Sequence, residues 1–458
     1  MEVKPLNVYS KMFRVGATIT PFMYFLYSLA IVCYAVLVAP RVIYAAVRHR
    51  KYVGSLVERC GQLPVAINPK REISIWVHAV SVGEVLAVRA LVPALRDRYP
   101  NHRLWMSTTT KTGREVASTL KGIDGLFYFP LDLPPFVKRV LDQVRPELFL
   151  MVETELWPNL LRHCARRGVK TVLVNGRISD RSYPRYRLVR RFLTRVFQEV
   201  DCCCAQSKIA SDRLISLGAA PQHVTVTGNL KFDAWAQFSA GDSGNPDGIL
   251  RAFRMATNRP ILIAGSTHPG EEASVLNAFS RVKQRAPQVL LVIAPRHPER
   301  SEDVLAMCLD GGFKAIRRSE LPHHEQAEAD VVVLDTVGEL ATLFQIATVV
   351  FLGGSLVPSG GHNVLEPALW GKPVVFGPYM SNFAEIAELF LENRAARQIE
   401  SPEELEVALW DLLSDSARSD ALGAAASALV VTQRGATERS LAEIAAVFPP
   451  TSGASGGC

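Results

Sequence analysis

The sequence predicts an α/β protein with two parallel-sheet domains, preceded by an apolar segment at the amino terminus. Three observations predict this class. The chain has 458 residues and is 48% hydrophobic, which is enough to fill two cores of ordinary size. Short apolar runs alternate with helical patterns in two separate series, as they do in βαβ units. Finally, residues 15–40 contain no charged side chain.

The apolar segment, "VGATITPFMYFLYSLAIVCYAVLVAP", is longer than the roughly 20 residues that span a bilayer. The basic flank "RVIYAAVRHRK" follows at once, and positive residues on that side favour a cytoplasmic location for the rest of the chain. A secretory signal would have a shorter apolar core and a small-residue cleavage site. The sequence therefore predicts an uncleaved membrane anchor and basic flank over residues 1–50, with a helix lying in the membrane interface as the alternative.

The first series of apolar runs extends from residue 70 to about residue 230. Its runs are "ISIWVHAV", "RLWMSTTT", "LFYFPL", "ELFLMVE", "TVLVNG", "DCCCAQS" and "VTVTGNL". Each run ends in small or polar residues, which is typical of buried strands in a parallel sheet. Ligands bind at the carboxyl ends of such strands.

A second series begins after "AWAQFSAGDSGNPDGIL", whose Gly, Ser, Asp and Pro indicate a linker. We therefore expect a first domain over residues 51–238 and a second over residues 239–448, facing one another across a cleft that holds two substrates. The terminal residues 449–458 are low in bulky side chains and are expected to be disordered.

Cysteine usage and net charge narrow the class of protein. The chain has eight cysteines; three are adjacent, at residues 202–204, and are typical of small side chains on a buried strand. Their spacing matches no zinc site, and free thiols suit a reducing cytoplasm.

The net charge is +7, but the basic residues concentrate after the anchor and in "RISDRSYPRYRLVRRFLTR" rather than in a nucleic-acid motif. A membrane surface or a phosphate-bearing substrate accounts for this charge, and a solvated helix face remains the alternative.

Four segments that follow apolar strands in the second series predict a nucleotide site. They are "GSTHPGEE", "APRHPER", "DTVGEL" and "GGSLVPSGGHNVLEPALWGKPVVFGP". The helix that begins in the last segment favours an anion at its free amides. Glu366 can accept hydrogen bonds from ribose hydroxyls, and Arg296 can bind phosphate. The absence of G-x-G-x-x-G and of a P-loop motif argues against a dinucleotide oxidoreductase and a P-loop enzyme. His362 is interpreted as a turn histidine rather than a metal ligand.

The segment "SVGE", ending at Glu84, follows the apolar run "ISIWV" and has two interpretations. Ser-x-x-Glu at a strand-to-helix turn is a capping box, and a capping carboxylate would have a lowered pKa and be a weak base. Gly83 costs helix stability but opens backbone space for a ligand, which favours a general base. His78 is a second candidate for the base or a substrate contact, and its alternative is a buried, hydrogen-bonded histidine.

The order and spacing of several motifs resemble those of the 3-deoxy-D-manno-octulosonic acid (Kdo) transferases of Gram-negative lipopolysaccharide assembly. The motifs are "WVHAVSVGE", "MVETELWPN", "NGRISDRSYPRY", "VTGNLKFD", "GSTHPGEE", "APRHPER" and "GGSLVPSGGHNVLEPALWGKPVVFGP". The resemblance extends from the anchor to about residue 430. It implies a GT-B fold of two Rossmann-like domains, the first binding the lipid A precursor (lipid IVA) and the second binding CMP-Kdo.

The same resemblance implies roles for individual residues. Glu84 corresponds to the general base, and Glu153 and Lys231 correspond to groups that assist the transition state; Glu155 remains an alternative to Glu153. The implied CMP contacts are Pro295, Arg296, Gly338, Glu339, Leu340, Asn363, Val364, Leu365 and Glu366. Further substrate contacts are predicted at Ser266, Thr267, His268 and Arg177.

The expected activity is therefore inverting transfer of Kdo from CMP-Kdo to lipid IVA at the cytoplasmic face of the inner membrane. No cofactor and no metal are expected, since the leaving group is a monophosphate and the chain has no Asp-x-Asp pair. No nucleic-acid partner is expected. Two other functions remain: a nucleotide-sugar epimerase of the same fold, which would have no use for an anchor, and a membrane-tethered binding protein without catalysis.

Overall fold

The computed structural model of the protein describes residues 21–40, 53–234, 248–250, 259–321 and 328–450. It divides into two compact units. The first contains the chain up to Ala234 together with the residues from Gly435 onward, and the second is Trp235–Arg434.

The first unit contains a sheet of seven parallel strands in the order β3-β2-β1-β4-β5-β6-β7. The strands are β1 Ser74–His78, β2 Arg103–Thr108, β3 Gly125–Tyr128, β4 Pro146–Val152, β5 Lys170–Gly176, β6 Cys202–Ala205 and β7 Val224–Val226. This is the Rossmann strand order, in which the direction of progression reverses between β1 and β4. The loops that follow β1 and β4 therefore border the crevice where such sheets bind ligands.

Helices cover both faces of this sheet. The helices of this unit are α1 Pro21–Pro40, α2 Val53–Arg59, α3 Val82–Ala87, α4 Leu91–Arg98, α5 Lys111–Ala117, α6 Pro134–Val144, α7 Pro158–Arg166, α8 Tyr183–Leu188, α9 Arg190–Phe197 and α10 Lys208–Leu217. Side chains on strands alternate between the faces, so Cys203 packs in one core while Cys202 and Cys204 pack in the other. The predicted buried strand of cysteines is confirmed.

The second unit repeats the arrangement. Its seven parallel strands have the order β10-β11-β9-β8-β12-β13-β14, with the reversal between β8 and β12. The strands are β8 Ile261–Thr267, β9 Leu290–Pro295, β10 Ala315–Arg317, β11 Val331–Val333, β12 Val349–Leu352, β13 Val374–Phe376 and β14 Arg397–Gln398. The helices are α11 Glu271–Arg285, α12 Ser301–Asp310, α13 Leu340–Leu343, α14 Leu365–Leu369, α15 Ala384–Glu392, α16 Glu404–Ser414 and α17 Ser416–Thr432. The predicted class, two Rossmann-like domains with parallel sheets, is confirmed.

The last helix, α18 Ala436–Val447, corrects the predicted domain division. The predicted second domain, residues 239–448, includes this helix, whereas the helix packs with the first unit. The carboxylate of Asp233 accepts hydrogen bonds from the amides of Gly435 and Thr437, at 2.8 and 2.6 Å, and Ile444 enters the first unit's core. These contacts hold α18 on the first unit. A helical pattern in the sequence does not reveal them. The predicted boundary at residues 238–239 lies outside the described residues, as do residues 451–458 of the predicted tail.

Helix α1 is long and apolar enough to cross a membrane by length and composition, and it is the one helix of that kind in the part of the chain that the structure describes. It coincides with most of the predicted apolar segment. Residues 15–20 of that segment and its whole basic flank, residues 41–51, lie outside the described residues.

Candidate active site

Glu84 lies in the first turn of α3, just after the end of β1 and beside the crevice of the first sheet. Ser81 is the residue before the helix, but its side chain caps no backbone amide. Instead the Ser81 hydroxyl donates to Oε1 of Glu84 at 3.0 Å, and the Val80 amide donates to Oε2 at 2.7 Å. The reciprocal pattern of a capping box is therefore absent at this turn, although Glu84 does satisfy one backbone amide.

Burial raises the pKa of Glu84 to about 7, and the negative charge of Glu153 adds to the effect. The hydrogen bond from Val80, the hydroxyl of Ser81 and the charge of Lys231 act in the opposite direction without cancelling it. The residue is 8% exposed. The lowered pKa expected of an exposed cap is not observed, because desolvation of the charged form outweighs the stabilising groups. A carboxylate with a pKa near the working pH is suited to general base catalysis.

Gly83 leaves open space next to this carboxylate. A Cβ atom added at Gly83 would meet no other atom within 4 Å. Packing inside the protein therefore does not require glycine here, and its absence of a side chain keeps the approach to the turn free for a ligand.

Glu153 immediately follows β4 and is held by two cations. Its Oε2 lies 3.0 Å from Nε of Arg177, and its Oε1 lies 3.0 Å from Nζ of Lys231. Burial alone would raise the pKa of Glu153, but Lys231 and Arg177 together lower it below the usual range. Glu153 also has a φ of 59°, a left-handed conformation that non-glycine residues rarely adopt and that concentrates at functional sites.

Glu155 has the opposite electrostatic environment. Burial raises its pKa to about 8, and the negative charges of Glu84 and Glu153 contribute. Among the described residues it forms no ion pair. The two glutamates that the sequence could not separate thus differ physically, since Glu153 is a charged carboxylate and Glu155 is protonated at neutral pH.

Lys231 reaches the cluster because the loop after β7 is anchored to the sheet. The side-chain oxygen of Asn175, at the end of β5, accepts a hydrogen bond from the Leu230 amide at 3.0 Å. Asn229 accepts from the Lys231 amide at 3.0 Å. The motif "NGRISDRSYPRY" begins at Asn175 but predicts no role for it; its φ of 54° is a structural signal that the sequence does not contain.

His78 is fully buried at the end of β1. Its Nδ1 lies 2.9 Å from the Ser107 hydroxyl, and its ring stacks on Phe129 with centroids 3.8 Å apart. Burial lowers the pKa of His78 to about 3, so the ring is neutral. The buried, hydrogen-bonded alternative is the correct one for this residue.

In the second unit, the structure brings together three of the predicted nucleotide contacts. Glu366, in the first turn of α14, accepts a hydrogen bond from Nδ2 of Asn363 at 3.3 Å. Burial raises the pKa of Glu366 to about 7, while Asn363 and the charge of Arg296 oppose that effect. Arg296 directly follows β9 and is exposed, so its guanidinium is available to an anion.

The other predicted contacts differ in what they can present to a ligand. Val364 and Leu365 are fully buried, which leaves only their backbone for contact. Gly338 has a φ of 90°, and Glu339 is paired with Arg318 at 3.2 Å. The remaining predicted residues lie at strand ends, at Ser266, Thr267 and Pro295, or at the first position of α13, at Leu340.

A histidine pair and a buried glutamate bridge the reversal point of the second sheet. Nε2 of His268, after β8, lies 3.0 Å from Nε2 of His362, after β12. Burial and neighbouring cations lower the pKa of His362 to about 4. The carboxylate of Glu271 accepts from the amides of Gly354 at 2.6 Å and Leu356 at 2.8 Å. His362 is thus one of a pair rather than an isolated turn histidine, a contact between residues too far apart in sequence to be predicted.

Comparison with known proteins separates the functions that this fold supports. A family model described as 3-deoxy-D-manno-octulosonic-acid transferase (kdotransferase) matches residues 54–234. The 3-deoxy-D-manno-octulosonic acid transferase of Haemophilus influenzae is 35% identical over 405 residues, covering 86% of this chain and 92% of that protein.

Two solved structures have a similar fold at low sequence identity. The UDP-GlcNAc 2-epimerase from Neisseria meningitidis superposes with a TM-score of 0.53 at 12% identity, over 79% of this chain and 99% of that one. A glycosyltransferase from Rickettsia africae superposes with a TM-score of 0.54 at 11% identity, over 82% of this chain and 99% of that one. The fold is therefore shared by epimerases and transferases and does not distinguish them.

The sequence relationship does distinguish them. The protein is a glycosyltransferase with two Rossmann-like domains. The chain belongs to the 3-deoxy-D-manno-octulosonic acid transferase family.

Proposed function

We propose that the protein transfers Kdo from CMP-Kdo to a lipid A precursor, lipid IVA, with inversion at the anomeric carbon and with Glu84 as the general base. The observation that carries the proposal is the cluster of Glu84, Glu153 and Lys231. Glu84 lies in the first turn of α3, after β1, whereas Glu153 and Lys231 follow β4 and β7. The charges of Glu153 and Lys231 both act on the pKa of Glu84, and Lys231 is paired with Glu153.

The chemistry requires a base because a sugar hydroxyl is a poor nucleophile until its proton is removed. In the proposed step, Glu84 takes the proton of the acceptor hydroxyl as that oxygen attacks the anomeric carbon of Kdo. The bond from this carbon to the phosphate oxygen breaks, and its electron pair leaves with CMP. A single displacement from the opposite side inverts the configuration, and the positioned base is typically worth about 10² to 10⁴ in rate.

Glu153 and Lys231 have supporting roles in this proposal. Lys231 supplies positive charge beside the reacting groups, and Glu153 holds its ammonium group in place through the 3.0 Å contact. Preorganised charge of this kind stabilises a transition state without reorganisation during the reaction. Arg177 completes the pairing of Glu153 and is therefore assigned to this cluster rather than to a membrane phosphate.

The second unit supplies the donor pocket in this proposal. Glu366 accepts the ribose hydroxyls, Asn363 orients its carboxyl group, and Arg296 neutralises the phosphate. CMP is a monophosphate leaving group, so the positive charge of Arg296 replaces the cation that a diphosphate would require. The proposal includes neither a metal nor a cofactor.

Membrane association belongs to the same proposal. A lipid A precursor is anchored in a bilayer, and α1 has the length and apolar composition to associate with one. We place the enzyme on the cytoplasmic face of the inner membrane, in keeping with the basic flank that follows the apolar segment.

The proposal is tested with Glu84→Gln and Glu84→Ala, incubated with CMP-Kdo and a tetraacylated acceptor and followed by mass measurement of the product. Both variants should lose transfer while retaining their fold and their affinity for CMP. Glu115→Gln is the matched control, because Glu115 is an exposed glutamate of the same unit whose one ion pair among the described residues is with Lys111. Retained transfer in Glu84→Gln would disprove the base assignment, and loss of folding in both variants would favour a structural role for the carboxylate.

A further inference from the structure

The first two turns of α1 are part of the fold of the first unit. Tyr24 is only 3% exposed, and the side chains of Tyr24, Tyr27 and Ser28 follow the i, i+3, i+4 spacing that places them on one helix face. The Tyr27 hydroxyl donates to the carboxylate of Asp132 at 3.0 Å. Asn159 donates through Nδ2 to the Ser28 hydroxyl at 3.0 Å.

This docking face is polar and specific. Asp132 is buried and accepts hydrogen bonds from the amides of Asn159 and Leu160, at 2.9 and 2.8 Å, where α7 begins. The Arg162 guanidinium lies 4.4 Å from the centre of the Tyr24 ring. Separating α1 from the unit would leave the Tyr27 hydroxyl and one position of a buried carboxylate without these partners, a costly change in an apolar environment.

The free part of α1 is too short to cross a bilayer. Beyond Ser28 the helix continues for about 18 Å at 1.5 Å per residue, whereas the hydrocarbon core is about 30 Å thick. Its side chains there are exposed and apolar, with Leu37 at 77% and Tyr34 at 69%. A length of about 18 Å matches one leaflet.

A basic edge adjoins the apolar helix. Phe192 of α9 packs against both Tyr24 and Tyr27, with ring centroids 5.5 and 5.8 Å apart. Leu188, the last residue of α8, is 86% exposed. The surrounding arginines are exposed and form no ion pair within the described part of the chain; they are Arg181, Arg185, Arg187, Arg190 and Arg191. An apolar protrusion bordered by unpaired arginines is complementary to a bilayer with anionic headgroups.

We propose that α1 remains docked on the first unit and enters only one leaflet of an anionic bilayer, with the arginines of α8 and α9 on the headgroups, so that the chain does not cross the membrane. This inference rests on the membrane association in the proposed function. In this arrangement the helix holds the first domain in a fixed orientation on the membrane and does not act as a flexible linker. The acceptor-binding unit would then have one defined orientation on the lipid surface.

Topology is the first test. Ser10→Cys is treated in intact spheroplasts with a membrane-impermeant maleimide. Wild-type chain, whose first cysteine is Cys33, is the control. We expect labelling only after the cells are permeabilised, because the chain before α1 and the chain after it both remain on the cytoplasmic side of the membrane. Labelling of intact spheroplasts would overturn the inference, since a spanning helix places residue 10 outside.

Cross-linking in membranes is the second test, and it does not depend on the first. With Cys33, Cys60 and Cys458 replaced by Ser, Ser28→Cys/Asn159→Cys should react with a short bifunctional thiol reagent. The matched pair Tyr34→Cys/Asn159→Cys should not, because Tyr34 is exposed at the free end of the same helix. Equal reactivity of the two pairs, or none in either, would contradict docking.

Vesicle flotation separates this inference from the proposed function. Wild-type protein should float with vesicles containing anionic phospholipid. The combined replacement of Arg185, Arg187, Arg190 and Arg191 by Gln should weaken this binding at least tenfold and leave binding to neutral vesicles nearly unchanged. Failure of wild type to bind either kind of vesicle would disprove membrane association itself. Binding combined with external labelling of residue 10 would disprove only the docked, single-leaflet arrangement.

Discussion

Nζ of Lys231 lies 3.0 Å from Oε1 of Glu153, and this contact divides three neighbouring glutamates into two kinds. Glu153, also paired with Arg177, is charged. Glu84 and Glu155 have raised pKa values because both are buried and near negative charge. Groups that interact in this way titrate as a set, so a proton is retained in the cluster close to neutral pH.

The first prediction is a rise in activity through neutral pH. If Glu84 is the base, kcat/KM should increase as the pH passes an apparent pKa near 7, because only the ionised form accepts the acceptor's proton. Initial rates between pH 5.5 and 9 test this. Glu84→Gln should reduce kcat by about 10² to 10⁴ and remove this limb from the residual rate. If the activity of that variant still rises with pH around 7, the titrating group is a residue other than Glu84.

The second prediction concerns Glu153→Gln and Glu155→Gln, which should have opposite effects on stability. Glu153→Gln leaves Lys231 and Arg177 without a charged partner and should lower the free energy of unfolding by about 3 kcal/mol. Glu155 keeps a proton in the folded state up to about pH 8, whereas in the unfolded state it loses that proton near its ordinary value. Wild-type stability therefore falls with rising pH across this window. Glu155→Gln cannot titrate, so its advantage over wild type should grow from pH 5 to 8 and then level off.

Thermal unfolding of both variants across this pH range provides the measurement. Glu115→Gln is the control, because Glu115 is exposed and should show no such trend. An advantage of Glu155→Gln that does not change with pH would contradict a buried, protonated Glu155.

Residue patterns were sufficient to predict two sheets of parallel strands. They also placed the candidate site residues just after the carboxyl ends of those strands. They did not reveal which strands are neighbours. The proximity of Glu84 to Glu153 depends on the pairing of β1 with β4, and that of His268 to His362 depends on the pairing of β8 with β12. Such contacts are set by the order of strands in the sheet, which each strand's own sequence does not encode.

Two further features could not be predicted for a related reason. The amphipathic pattern of α18 indicates a helix but not which unit it covers. The apolar run of α1 satisfies the criterion for a membrane span, yet Tyr27 and Ser28 within it bind Asp132 and Asn159. Hydrophobicity alone does not show that part of this helix is used for docking.

The third prediction is that Glu271 holds the donor side together. Its buried carboxylate accepts hydrogen bonds from the amides of His268, Gly354, Ser355 and Leu356. Glu271→Gln places an amide donor against these donors and should lower the free energy of unfolding by about 3 kcal/mol, since hydrogen bonds to charged groups are strong. CMP affinity should fall as well, because the turn at residues 354–356 adjoins His362, which immediately precedes the predicted CMP contact Asn363.

Thermal unfolding and titration calorimetry of purified Glu271→Gln measure these two effects. Glu299→Gln is the matched control, because Glu299 is exposed on the same unit. Stability equal to that of wild type would show that the four amides find other acceptors.

The fourth prediction is that binding of the nucleoside strengthens as the pH rises. Burial raises the pKa of Glu366 to about 7, so the carboxylate fraction increases between pH 6 and 8, and hydroxyl donors of ribose bind the charged form better. If only that form binds, affinity for cytidine should rise roughly tenfold over this range. Cytidine serves as the probe because it has no phosphate to titrate, and the neighbouring His362 is already neutral there since its pKa is about 4. Glu366→Gln should bind cytidine more weakly with no pH dependence, and affinity that instead falls with rising pH would show that the protonated acid is the binding form.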